Sequence, residues 1–238
     1  MRPVSAIDHP NGFDWKASCR ERLGSLWRDQ SGVSVIELSF SLPVFLSLGM
    51  YGMELVNLAT VNMQVSQIAL SLADNASRLG QTDNSAVAPT VNETDVDSVM
   101  FGALEEGEGI DLATKGKVLL TSLEVDEDSG RQYIHWQRCR GTLERDSAYG
   151  DDGANNGLTG DPMTGMGKGA TKITAQAGSA VMFVEIYYTY EPIFGDLFVG
   201  EKSISHEAAY TIRDDRNLTP DGNADGVSGT RNADDPCA

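Results

Sequence analysis

Few residues of this chain have chemistry to perform, and two of them stand together. Glu37 is the only charged side chain between Asp29 and Glu54. Gly32 lies five residues before it, where a charged arm gives way to the apolar run Gly32-Val33-Ser34-Val35-Ile36-Glu37. A carboxylate inside a bilayer-spanning helix costs about 2.5–3.5 kcal/mol and marks a function or a paired cation. One turn from the interface that cost is small. Gly49 and Glu54 repeat the same spacing. Only Gly32 stands at a polar–apolar edge with basic residues before it, so the second pair is set aside as chance.

Other chemistries leave weaker traces. Asp221, Asn223 and Asp225 put side-chain oxygens at positions 1, 3 and 5 of a calcium-type loop, with Gly226 at position 6. Position 12 is Asn232, which cannot supply a bidentate carboxylate, and Asp234 comes two residues too late. An acidic tail is the simpler reading, with calcium as the lesser alternative. His9, His135 and His206 are scattered, and neither Cys-x2-Cys nor His-Glu-x2-His occurs. Gly165-Met166-Gly167-Lys168-Gly169 lacks the spacing of a phosphate loop, and there is no nucleophile elbow. No cofactor is expected, and enzyme function has no positive support.

The elements that must position Gly32 and Glu37 follow from charge and hydropathy. The net charge of −17 is unevenly spread: residues 1–32 carry five basic and four acidic groups, residues 74–238 carry 13 basic and 29 acidic. So acidic a surface repels nucleic acid and anionic headgroups, and no nucleic acid partner is expected. Residues 33–53 are almost wholly apolar, and at 1.5 Å per residue they cover roughly the 30 Å hydrocarbon core of a bilayer. No Lys or Arg occurs between Arg28 and Arg78. The basic groups therefore lie on the N-terminal side, which predicts a cytoplasmic arm and an extracytoplasmic C-terminal part. A cleaved secretory signal fits less well, because the run is too long and no small-residue site follows before Ala59-Thr60. Pro43 inside the span predicts a helix kink.

Beyond the span, Leu58, Val61, Val65, Ile68, Leu72, Asn75 and Leu79 form a heptad seam opposite Asn62, Gln64, Ser66, Gln67 and Asp74. The seam predicts an amphipathic helix over 54–80 that covers the chain's own sheet, or else pairs with another helix. Residues 81–93 read as a linker, and a short helix over 94–106 is expected with Thr94 as its cap. Strands are expected at 117–125, 131–138, 180–190 and 203–213, the first two joined by the turn Asp126–Gly130 and the third central. Gly141 to Gly169 contains eight glycines and reads as a long surface loop, and 214–238 as an acidic flexible tail. The expected fold class is α+β, a small antiparallel sheet packed on the long helix.

The stretch from Gly32 through Leu42-Pro43, followed by the polar helix Asn62–Ala73, resembles the N-terminal signature of TadE/TadF-like proteins, pseudopilins of the tight-adherence (Flp, type IVc) pilus. The resemblance covers about residues 30–75, with looser similarity at Tyr133–Cys139 and Phe183–Phe194. It implies cleavage between Gly32 and Val33 by a prepilin peptidase, which would release the 1–32 leader. It also implies that Glu37 neutralises the N-terminal ammonium of a neighbouring subunit, and that the layout is pilin-like.

Its implied partners are the peptidase, other pilins or pseudopilins, the Tad secretion machinery and inner-membrane lipid. The implied location is the bacterial inner membrane, single-pass with a periplasmic domain, or the pilus itself. Loss of the leader would remove Cys19 and leave Cys139 and Cys237 in an oxidising compartment, either as a disulfide or as two separate thiols. The expected role is assembly, priming or tip formation. The alternative is an uncleaved envelope anchor carrying an extracytoplasmic binding or adhesion domain.

Overall fold

Residues 33–53 offer no polar face, and they fold as the first part of a helix, α1, that runs from Ser31 to Ser77. In the computed structural model of the chain, residues 31–80, 89–213, 216–218, 226–232, 235 and 237 are described. The chain divides into two units, Met1–Gly52 and Met53–Ala238.

In the first unit the side chains of α1 are exposed all round; Phe40 is 77% and Phe45 70% accessible. This helix is long and apolar enough to cross a membrane. Three of its serines turn back onto the main chain: Ser39 Oγ donates to the Val35 carbonyl at 2.6 Å, Ser41 Oγ to the Leu38 carbonyl at 3.3 Å and Ser47 Oγ to the Pro43 carbonyl at 2.7 Å. That is how a lipid-facing helix satisfies hydroxyls without water. The helix continues through Pro43.

In the second unit the polar–apolar pattern takes over, and α1 buries one stripe. Val61, Val65, Ile68 and Leu72 pack with Val118, Leu120, Met182, Val184 and Ile186 in one core. The stripe thus covers the chain's own sheet. Asn75, expected on the seam, is exposed, while Ala69, Ala73 and Ala76 are buried. A straight helix with 3.6 residues per turn drifts off a strict seven-residue repeat, and small residues fill the flank. Arg216 closes the helix end by donating to the carbonyls of Ala76, Ser77 and Leu79 at 3.2, 3.4 and 2.6 Å.

After residues 81–88, a part of the expected linker outside the described residues, Val91 is already buried. Helix α2 spans Glu93–Glu106, and its cap is Asn92 rather than Thr94: Asn92 Oδ1 accepts from the Asp95 N–H at 3.0 Å. A bond from the Glu93 N–H to the Ser228 carbonyl, 2.9 Å, helps fix this earlier start. A 3-10 turn at Glu108–Ile110 and a single helical turn, α3, at Leu112–Lys115 lead into the sheet.

The sheet is fully antiparallel, with strands β1 Gly116–Val125, β2 Gln132–Arg140, β3 Val181–Tyr190 and β4 Lys202–Thr211 in the order β2-β1-β3-β4. The β-branched and aromatic β3 is internal, as its composition predicts. Alternation along β3 sends Met182, Val184 and Ile186 to the helix side, and Val181 and Phe183 to the other side with Leu123, Met166 and Ala175.

That second core corrects the reading of 141–169 as a plain surface loop. Met163, Met166 and Tyr149 from this segment cover the far face of the sheet. Buried Glu185 on β3 draws the segment in, accepting from the Ala148 N–H at 3.0 Å and the Ser147 and Tyr187 hydroxyls. Tyr149 donates to Glu207 at 2.9 Å. Burial, then these carboxylates, push the Tyr149 and Tyr187 hydroxyl pKa values up.

The described part of 214–238 is also not a free tail. Val227 and Asp235 are buried, and Ser228 bridges to Asn92. Gly226 adopts φ +68°, and a Cβ there would lie 2.7 Å from the His135 ring. Only glycine fits both the conformation and the space. The remaining calcium-type positions, Asp221, Asn223 and Asp225, lie outside the described residues.

Candidate functional site

Gly32 sits in the first turn of α1, and a Cβ on it would meet nothing within 4 Å. Neither packing against the described residues nor a left-handed conformation demands glycine here, although glycine in a helix costs about 1 kcal/mol relative to alanine. Val33 beside it is 57% accessible. Glu37, one and a half turns on, is exposed among Val35, Ile36, Leu38 and Phe40. Among the described residues no hydrogen bond or ion pair to its carboxylate is seen. The site is therefore an exposed Gly32-Val33 pair at the N-terminal end of the described helix, followed by a charge that nothing within the described residues answers.

Glu54, set aside on the sequence, is in the opposite state. It is fully buried. Its carboxylate accepts from the Tyr190 hydroxyl and from the Ile193 and Phe194 N–H groups at 3.3 and 3.2 Å. Asn57 Nδ2 donates to the same Tyr190 oxygen at 2.8 Å. Burial first, then the bond to Glu54, raise the Tyr190 pKa. The signal was present in the spacing: Glu54 continues the seam of Leu58, Val61 and Val65 one step toward the N-terminus.

A second polar cluster holds the outer edge of β2. Arg138, 2% accessible, pairs through a forked contact with Glu93 and lies 3.4 Å from Asp152. Burial opposes its charge, but Glu93, Asp152 and Asp235 outweigh that and leave its pKa raised. Cys139 and Cys237 are joined in a disulfide with Cα atoms 5.3 Å apart. Asp235 accepts from the Cys139 and Cys237 N–H groups at 2.9 and 3.1 Å and from Arg231 at 2.9 Å. These three side chains also form the one grouping of potential metal ligands among the described residues. With the sulfurs bonded to each other and the carboxylate bonded to the main chain and Arg231, they act as a lock on the fold. Cys19 lies outside the described residues.

Beside this lock is a cleft of about 750 Å³ lined by Lys117, Thr142, Glu144, Arg145 and Asp146. Burial lowers the Lys117 pKa, with Asp235 and Asp146 pulling the other way. The cleft is polar and open, suited to a small charged ligand more than an apolar one. His135 and Trp136 lie in β2, where His135 Nδ1 is 2.8 Å from Glu124.

No family model, no curated protein and no solved structure matches this chain.

Proposed function

We propose that this chain is a TadE/TadF-like pseudopilin or minor pilin, cut between Gly32 and Val33 by a prepilin peptidase and acting in assembly, priming or tip formation of a tight-adherence pilus. The observation that carries the reading is the pairing of Gly32, a glycine for which the described residues give no steric cause, with Glu37, a charge without a partner among the described residues, in an exposed apolar helix. Cutting at Gly32 would create a Val33 ammonium about one turn from the carboxylate. A neighbouring subunit at the same depth would then supply the cation that Glu37 needs. The chain is the substrate of this chemistry, and the periplasmic domain is what it carries into the apparatus.

The N-terminal residue and intact mass of membrane-extracted protein, with and without the cognate peptidase, test this. A Val33 start that vanishes without the peptidase, or in Gly32→Ala, is expected. Because alanine at Gly32 meets no atom of the described residues, a block by that variant is expected to report recognition and not misfolding. An uncut chain in the presence of active peptidase would overturn the proposal. It would favour an uncleaved anchor whose domain binds a ligand, for which the Lys117–Arg145 cleft is the starting point.

A further inference from the structure

The bonds that bury Glu54 also fix a loop. Between β3 and β4 the chain reads Glu191-Pro192-Ile193-Phe194-Gly195-Asp196-Leu197-Phe198-Val199-Gly200-Glu201. Its apolar side chains are not drawn into the core. Ile193 is 56% and Leu197 72% accessible, and beyond α1 Leu197 is the most exposed large apolar residue among those described. Phe194 and Phe198 stack edge to face at 6.3 Å and stiffen the loop from within. Gly195, at φ +61°, opens the 3-10 turn Gly195–Leu197 that carries Leu197 outward.

The loop is tethered at a telling point. The Ile193 and Phe194 N–H groups donate to Glu54, the residue that follows the apolar segment 33–53 in the chain. If segment 33–53 crosses a bilayer, Glu54 and the loop bonded to it follow directly in the chain, next to the headgroup level. The β1–β2 turn is at the other end of the sheet, since Tyr190 pairs with Lys202 at the loop end and Val181 with Thr211 and Leu123 at the turn end.

We propose that the β3–β4 loop is a second lipid contact, with Ile193 and Leu197 inserted at the bilayer interface. This rests on the reading of residues 33–53 as membrane-crossing. A lipid surface suits the loop better than a protein groove because apolar side chains lie along a short arc bonded to Glu54, the residue that follows segment 33–53 in the chain. With Glu191 paired to Lys115 at 3.2 Å and Lys202 next to Glu201, the loop carries little net charge beyond Asp196, so the contact is one for zwitterionic headgroups. Such a contact would limit the tilt of the domain on the membrane.

The test uses the full chain with Cys19→Ser, reconstituted in phosphatidylcholine vesicles, with an environment-sensitive dye on one introduced thiol while Cys139 and Cys237 stay in their disulfide. Labels at Leu197→Cys, Val44→Cys and Asp128→Cys report the loop, the span and the exposed β1–β2 turn. Nitroxide lipids labelled near the headgroup or deep in the acyl chain act as quenchers. Loss of about half the emission at 197 with the shallow quencher, none at 128, and deep quenching at 44 are expected.

Quenching at 44 without quenching at 197 overturns the loop contact and leaves the span standing. Equal quenching at 197 and 128 means adsorption without orientation and also overturns it. Shielding of 197 from aqueous iodide with no lipid quenching assigns the loop to a protein partner instead. Absence of quenching at 44 removes the spanning premise and the loop contact with it.

Discussion

Glu37 and Glu54 lie on one helix, each five residues after a glycine, and their surroundings are opposite. Glu54 has three donors from its own chain and no accessible surface. Glu37 is exposed among apolar side chains, with no donor among the described residues. The same contrast separates the regions around them. From residue 53 onward the buried carboxylates are answered within the chain: Glu93 by Arg138, Glu124 by His135 and Ser122, Glu185 by Ser147, Ala148 and Tyr187. Before it, a charge unanswered among the described residues sits in an exposed apolar segment. Identical local spacing thus gives a fold-building carboxylate in one place and an outward-looking one in the other.

The largest expected effect breaks the self-sufficient side. Arg138→Met leaves Glu93 buried without its cation, which should cost about 3–5 kcal/mol and lower the apparent Tm in detergent by roughly 10 °C. Adding Glu93→Met should recover most of that loss; a double variant as unstable as the single one would mean that the pair acts through more than its charges.

Glu54→Ala comes next. It strands the Tyr190 hydroxyl and two N–H groups, so the apparent Tm should fall by roughly 5 °C, with faster amide exchange at Ile193 and Phe194. An unchanged Tm would show that Glu54 is replaceable by water.

A smaller effect comes from His206, whose Nε2 lies 3.1 Å from Asn62 Oδ1 on α1. Burial, and then Lys168, lower its pKa below the ordinary 6.5. The unfolded chain then takes up the proton more readily, so stability falls as pH drops below 6.5. In His206→Gln the loss of Tm between pH 7 and pH 5 should shrink, by about 1 °C given how far solvent screens the group. A Tm–pH slope identical to that of the unaltered chain would count against this.

The smallest expected change in stability belongs to Glu37→Gln, within about 0.5 kcal/mol for an exposed position. Its effect should surface only in assembly, as loss of co-purification with other pilus subunits after normal cutting at Gly32. A large drop in Tm for this variant would erase the contrast with Glu54.

Periodicity made the strands legible to within two or three residues, because β-branched and aromatic runs bounded by turn residues have few other readings. The stripe on α1 was legible too, except where Asn75 fell off it. Hidden from the sequence were the contacts that join distant segments. Nothing in the glycine-rich 141–169 stretch announces that Glu185 will bind its main chain, or that Met166 will fill the far face. Asn92 was passed over as a cap because Glu93, needed by Arg138 some 45 residues away, read as linker. At the candidate site the reverse held: Gly32 and Glu37 stood out because local sequence is all they use, whereas Glu54 was dismissed because its partners are more than 130 residues away.

The two edges of the sheet have different fates in a crowded solution. On the β2 side, Asp152 and Asp235 accept from the Gln137 and Cys139 N–H groups, and the Asn156 carbonyl from Ile134, so an incoming strand finds its donors engaged. Beyond β4 no further strand lies among the described residues. A sheet with one edge left open by the described residues can join edge to edge only in a closed pair, since an open-ended ribbon needs two. Runaway cross-strand stacking between folded domains is thereby capped at two copies.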